Sequence, residues 1–160
     1  MTTGFQYAAQ PGRVDSRPAR RVLLVEDHDT VRQLLRCTLE DDGYQVIEAR
    51  NGVEALSLCR VEEPDLVVTD LIMPDKDGLE TIAELRQIAS HVPVIAMTGG
   101  GRVGASLYLS VAETLGAALV LEKPFTGHLL LQAVATILAS PPPAGAAQLE
   151  QHVPARNDQP

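Results

Sequence analysis

Val22-Leu23-Leu24-Val25-Glu26-Asp27 is the stretch on which the fold turns. An unbroken apolar run, β-branched in part, describes a strand covered on both faces, because a half-exposed strand alternates apolar with polar residues. The run stops at a pair of carboxylates. After it, Val31, Leu34, Leu35, Thr38 and Leu39 share a helical face, with Asp29 or Thr30 available as cap and Gly43 as terminator. The same strand-then-helix unit then recurs along the chain. Residues 44–49 are predicted as strand, and Asn51 with Glu54 forms a capping box for a helix carrying Val53, Ala55, Leu56 and Cys59, closed by Pro64. Leu66-Val67-Val68 is the next strand, followed by a helix of Leu79, Ile82, Leu85 and Ile88 that Asp77 caps. Residues 93–97 are a fourth strand, 103–115 a helix ended by Gly116, 117–121 a fifth strand and 126–139 a last helix.

Five strands alternating with five helices predict right-handed βαβ units, a parallel sheet with helices on both faces, and so a doubly wound α/β fold. In such sheets ligands bind beyond the carboxyl ends of the strands. The chain of 160 residues, 45% apolar, suits one domain over residues 21–139. Residues 1–20 and the Pro/Ala-rich residues 140–160 have no apolar period and are expected to be disordered tails, with no output domain attached. The net charge of −8 argues against nucleic acid, which requires a concentrated basic surface. No apolar stretch is long enough for a membrane span and no secretory signal opens the chain, so a cytoplasmic protein is expected. Cys37 and Cys59 lack metal-ligand spacing and read as small buried hydrophobes.

The strand ends carry the chemistry. Glu26-Asp27 ends the first strand, Asp70 the third, Thr98 the fourth and Glu122-Lys123-Pro124 the fifth. Each has an ordinary explanation when taken singly: a helix cap, a solvated turn residue, a loop Lys-Pro. Together they gather carboxylates on one rim, where mutual repulsion is relieved by a bound cation or a retained proton. A hard oxygen set of this kind suits Mg²⁺ or Mn²⁺.

Residues 21–139 resemble the receiver domains of bacterial response regulators, the phosphoacceptor modules of two-component signalling, in a chemotaxis-receiver-like form. The resemblance rests on residues 22–27, on Asp70-Leu71-Ile72-Met73-Pro74 with Asp77-Gly78, on Thr98-Gly99, and on Leu115-Gly116-Ala117 leading to Lys123-Pro124-Phe125. It implies a flavodoxin-like sheet in the order 2-1-3-4-5. It also implies Asp70 as phosphoacceptor, and a metal held by Asp27, Asp70, Glu26 and the main-chain carbonyl of Ile72. Thr98 and Lys123 would bind the phosphoryl oxygens, Gly99 would leave room beside them, and the bond before Pro124 would be cis. The implied partner is a histidine kinase or a histidine phosphotransfer protein. The protein would be no enzyme in its own right, but a phosphoacceptor with self-catalysed transfer and autodephosphorylation, signalling through protein contacts. One departure stands out. Three residues before Lys123, where receivers commonly carry a Tyr or Phe that turns inward on activation, this chain has Val120. The switch is therefore expected in the loop Gly99-Gly100-Gly101-Arg102 and the start of the next helix. The competing readings are a receiver-like interaction module that works without phosphorylation and an aspartyl-nucleophile phosphohydrolase. The latter needs a second acid two residues after the nucleophile, and that place holds Ile72.

Overall fold

The computed structural model describes residues 19–73, 78–99 and 105–139. The two expected tails fall outside these, apart from Ala19 and Arg20, as do Asp77 and most of the glycine loop. The run at residues 22–25 lies in β1 (Arg21–Val25). It is followed in order by α1 (Asp29–Asp41), β2 (Gln45–Ala49), α2 (Gly52–Glu62), β3 (Leu66–Asp70), α3 (Gly78–Ile88), β4 (Val94–Gly99), α4 (Ala105–Thr114), β5 (Leu119–Lys123) and α5 (Gly127–Ala139). All strand pairs are parallel. Their order is β2-β1-β3-β4-β5, as the resemblance implies.

The sheet is buried on both faces because successive side chains point opposite ways. Leu23 and Val25 join Ala55, Leu56 and Cys59 of α2, Ile82 and Leu85 of α3 and Ala112 of α4 in one core. Val22 and Leu24 join Leu35 and Leu39 of α1 and Leu130 and Val134 of α5 in the other. All four β1 residues in these cores are 0% exposed, and burial of each stabilises the fold by about 1.5–3 kcal/mol.

Local chemistry sets the boundaries. Asn51 caps α2, its Oδ1 accepting the Glu54 N–H at 2.9 Å, while Glu54 Oε2 accepts from the Arg50 N–H at 2.8 Å, one residue upstream of the expected partner. Strand β5 begins at Leu119 and not at Ala117, because the N–H groups of Leu115, Gly116 and Ala117 still bond to carbonyls of α4 and Gly116 adopts φ +103°. Helix α1 departs from the sequence reading in three ways. His28 is its N-cap and makes no side-chain capping bond, while Asp29 pairs with Arg32. Leu34 is 65% exposed, because Leu35 and Leu39 occupy the sheet-facing line and Leu34 stands about 100° away from it. Cys37 is exposed, not buried as expected, whereas Cys59 is buried. Val53 likewise faces outward on α2.

Candidate functional site at the carboxyl rim of the sheet

Strand registers assemble the rim. Val25 pairs with Thr69, so the residues that follow, Glu26 and Asp70, emerge side by side. Asp70 pairs with Met97, which places Thr98 one step further along β4, and Gly99 pairs with Lys123. Glu26, Asp70 and Thr98 are buried, while Asp27 is exposed. Carboxylate oxygens of Glu26, Asp27 and Asp70 all lie within 4.8 Å of one another.

Lys123 binds this cluster together. Its Nζ donates to Glu26 Oε2 at 2.8 Å and to Asp70 Oδ2 at 2.6 Å. The other Asp70 oxygen, Oδ1, accepts the Ile72 N–H at 3.0 Å, and Glu26 Oε1 accepts the His28 N–H at 3.3 Å. Two carboxylates thus share one ammonium. Burial pushes the Glu26 carboxyl above its ordinary value; Lys123 pulls the other way, and Asp70 adds to the rise. For Lys123, burial disfavours the charge, but the hydrogen bonds to Asp70 and Glu26 outweigh it and hold the ammonium above the ordinary lysine value. The Thr98 hydroxyl is buried and, among the described residues, has no hydrogen-bond partner. A native fold seldom leaves such a group orphaned, so it marks a place for an acceptor supplied from outside.

The donor set suits a hard cation: all-oxygen, three carboxylates, with the exposed side of Asp27 open to waters. Among the residues singled out from sequence, Glu26, Asp27, Asp70, Lys123 and Thr98 are brought to one rim, and the Lys123-Pro124 bond is cis. Ile72 touches the site through its amide, with its side chain 57% exposed. Gly99 is exposed, and among the described residues a Cβ built there meets nothing within 4 Å. Val120 is half-buried, pairs with Ala96 on β4 and packs against the core that includes Ala96 and Ala112.

Two residues escaped the sequence reading. A Cβ on Gly78 would stand 2.1 Å from the Asp70 carbonyl oxygen and 2.6 Å from Leu71 Cα, so α3 can begin beside the Asp70 backbone only with glycine there. The Asp77-Gly78 pair was its signal. Arg32 is 7% exposed and its Nη1 donates to the Glu26 main-chain oxygen at 2.9 Å. An arginine directly after Val31 and three residues before Leu35, close to the apolar line of the helix, was the available clue. A cavity of about 770 Å³ lies at the amino-terminal ends of the strands, between Pro64, Arg86, Pro93 and Leu138, and none of the rim residues lines it.

Comparison with known proteins agrees with this architecture. The family described as the response regulator receiver domain matches residues 22–135. The chemotaxis protein CheY of Halobacterium salinarum is 34% identical over 122 residues, covering 76% of this chain and 99% of that protein. The response regulator MprA of Mycobacterium bovis is 35% identical over 128 residues, 80% of this chain but 54% of its own, so the chain spans about half the length of that relative. Among solved structures, the receiver domain of NtrX from Brucella abortus superposes with a TM-score of 0.69 at 27% identity, covering 73% of this chain and 97% of its own. The chemotaxis response regulator CheY4 of Vibrio cholerae superposes with a TM-score of 0.68 at 27% identity, covering 75% and 99%. With the family match spanning most of the chain and the carboxylates, hydroxyl and ammonium meeting where its strands end, this chain belongs to the receiver domains of two-component response regulators.

Proposed function

We propose that the chain accepts a phosphoryl group onto Asp70 from a phosphohistidine of a histidine kinase or histidine phosphotransfer protein, in a reaction that requires Mg²⁺ or Mn²⁺. The observation that carries this reading is the buried, partnerless Thr98 hydroxyl at the rim where Lys123 joins Asp70 to Glu26. Glu26, Asp27, Asp70 and the Ile72 carbonyl would hold the cation, which when bound neutralises charge on the phosphoryl oxygens. The Ile72 amide anchors Asp70 Oδ1 and orients the carboxylate. That leaves Oδ2 as the nucleophile. As its bond to phosphorus forms, the P–N bond breaks and the electron pair returns to the imidazole. Lys123 moves its ammonium from the carboxylate to a phosphoryl oxygen, and Thr98 donates its hydroxyl hydrogen to another.

Two features support a protein-directed role: the net charge of −8, which disfavours nucleic acid, and exposed apolar side chains at Leu34, Ile72 and Leu129. A receiver-like module working without phosphorylation would not need the orphaned hydroxyl. Intact mass after incubation with acetyl phosphate and Mg²⁺ tests the reading. The expected result is the gain of one phosphoryl group by the wild type, none by Asp70→Asn, and slowed uptake with weakened Mg²⁺ binding in Asp27→Ala. An unchanged mass in the wild type would favour the phosphorylation-independent module. Continuous release of phosphate without a stable adduct would favour the hydrolase.

A further inference from the structure

We infer that Arg32 is a positioning residue for metal binding, acting through the main-chain carbonyl of Glu26; the inference rests on the metal site proposed above. Among the described residues, the Asp27 carboxylate has no hydrogen-bond or ion-pair partner. Its place opposite Glu26 and Asp70 is therefore set by backbone alone. That backbone is the turn between β1 and α1, and a few bonds hold it. The Glu26 N–H donates to the Ala49 carbonyl at 3.1 Å, the His28 N–H to Glu26 Oε1 at 3.3 Å, and Arg32 Nη1 to the Glu26 carbonyl at 2.9 Å.

The last of these bonds differs from the others in having a rigid base. Arg32 Nε donates to Glu48 Oε1 on β2 at 3.2 Å and its Nη2 pairs with Asp29 in the first turn of α1. One planar guanidinium thus ties together the end of β1, the start of α1 and the neighbouring strand β2. Its side chain is only 8% exposed and the bond to the Glu26 carbonyl is buried, whereas Glu48 and Asp29 reach it from partly and fully exposed positions. The carbonyl it grips belongs to the peptide unit that leads into Asp27, so releasing it lets that unit rotate and carries the Asp27 carboxylate away from the other two. Lysine cannot replace this fork, since a single ammonium cannot keep three bonds that diverge from a plane.

A guanidinium near a cation site also repels the cation, and this gives the two roles opposite signs. If Arg32 acted by charge, removing it would tighten Mg²⁺ binding and lysine would leave it unchanged. If it acts by position, both substitutions weaken binding. Calorimetric titration of the full chain with MgCl₂ is expected to show Arg32→Met and Arg32→Lys weakened by about 10-fold or more, the range found when supporting partners of metal ligands are removed. Glu48→Gln, which loosens the base of the fork while leaving Arg32 in place, is expected to weaken binding less. Arg36→Met removes a second arginine paired with Glu48, at 3.1 Å, that does not reach the Glu26 carbonyl, and is expected to bind Mg²⁺ like the wild type. Melting in chelator, followed for each variant, separates position from fold: a purely structural arginine lowers the melting temperature with the Mg²⁺ affinity unchanged. That result, or tighter binding by Arg32→Met, overturns the inference while leaving the metal site standing. A wild type that binds no Mg²⁺ overturns the site and the inference together.

Discussion

Glu26 and Asp70 compete for one ammonium, and the sign of that competition can be measured. In the metal-free protein, Asp70→Asn removes a buried negative charge, keeps an acceptor for the Ile72 N–H and leaves Lys123 paired one to one with Glu26. Loss of a charge-assisted bond opposes this, but the desolvation and repulsion of the second carboxylate are larger, so a gain on the order of 1 kcal/mol is expected in chelator denaturation. A loss would show that the Lys123–Asp70 bond dominates. The pH dependence follows from the Glu26 carboxyl, raised above 4.5 in the folded protein chiefly by burial. Between the ordinary carboxylate value and the raised one, the folded state holds more protons than the unfolded state, so stability falls as pH rises through that window. Chelator melts across mildly acidic pH should show this decline in the wild type and a flatter profile in Glu26→Gln. At this scale the sequence revealed the residue types, because carboxylates placed directly after apolar runs have few structural uses in common. It could not reveal that Thr98 lacks a partner or that Lys123 spans two acids, since both facts depend on the register of four strands. Arg32 was illegible for a related reason: its bonds to the Glu26 carbonyl, just past β1, and to Glu48 on β2 depend on how those two strands pair.

Helices show where local rules suffice and where packing overrides them. Asn51 capped α2 as its spacing with Glu54 indicated, because the capping bonds lie within a few residues of one another. Asp29 failed as a cap for α1 because Arg32, one turn on, offers a stronger partner for its carboxylate. The buried face of α1 is narrower than its apolar pattern. A stripe containing both Leu34 and Leu35 spans more of the helix than a single sheet face covers, and neither sequence neighbour announces which is turned outward. The sharpest expectation at this scale concerns the start of α3. Gly78→Ala places a Cβ inside contact distance of the Asp70 and Leu71 backbone, which cannot yield as a flexible side chain would. The helix must shift, at a cost of about 1–3 kcal/mol, and Asp70 shifts with it, so thermal melts and the rate of phosphorylation by acetyl phosphate should both fall. Gly99→Ala is the contrasting case. With nothing within 4 Å of its Cβ, it should leave the melting temperature nearly unchanged. Slowed phosphorylation in that variant would then locate the need for a small side chain in the incoming phosphoryl group.

The architecture of the whole molecule was legible through two separate routes. Alternation of strand and helix gave a doubly wound parallel sheet, because buried parallel strands leave continuous apolar runs that few other structures produce. Periodicity alone could not order the strands; the order β2-β1-β3-β4-β5 came with the family resemblance and is the one observed. What a static sheet leaves open is how occupation of the rim is transmitted to a distant surface. In receivers with an aromatic at the position of Val120, a ring has two places to be, and movement of the threonine hydroxyl selects between them. Here the side chain is β-branched, half-buried and packed against a core shared with Ala96 and Ala112, so it has few rotamers and no comparable volume to relocate. The neighbouring path is different. Thr98 is followed on β4 by Gly99, which is exposed and has no described atom within 4 Å of a Cβ built there, and then by Gly100 and Gly101, beyond the described residues. Consecutive glycines carry no Cβ to oppose a backbone change, so the sequence makes this stretch the one expected to respond if the Thr98 hydroxyl bonds a phosphoryl oxygen. Amide hydrogen exchange with and without a stable phosphoryl mimic and Mg²⁺ is expected to show increased protection from Gly99 through the first turn of α4, with β5 around Val120 and α5 unchanged. Protection that changed around Val120 and α5 while the glycine loop stayed constant would mean that the aliphatic side chain carries the switch after all.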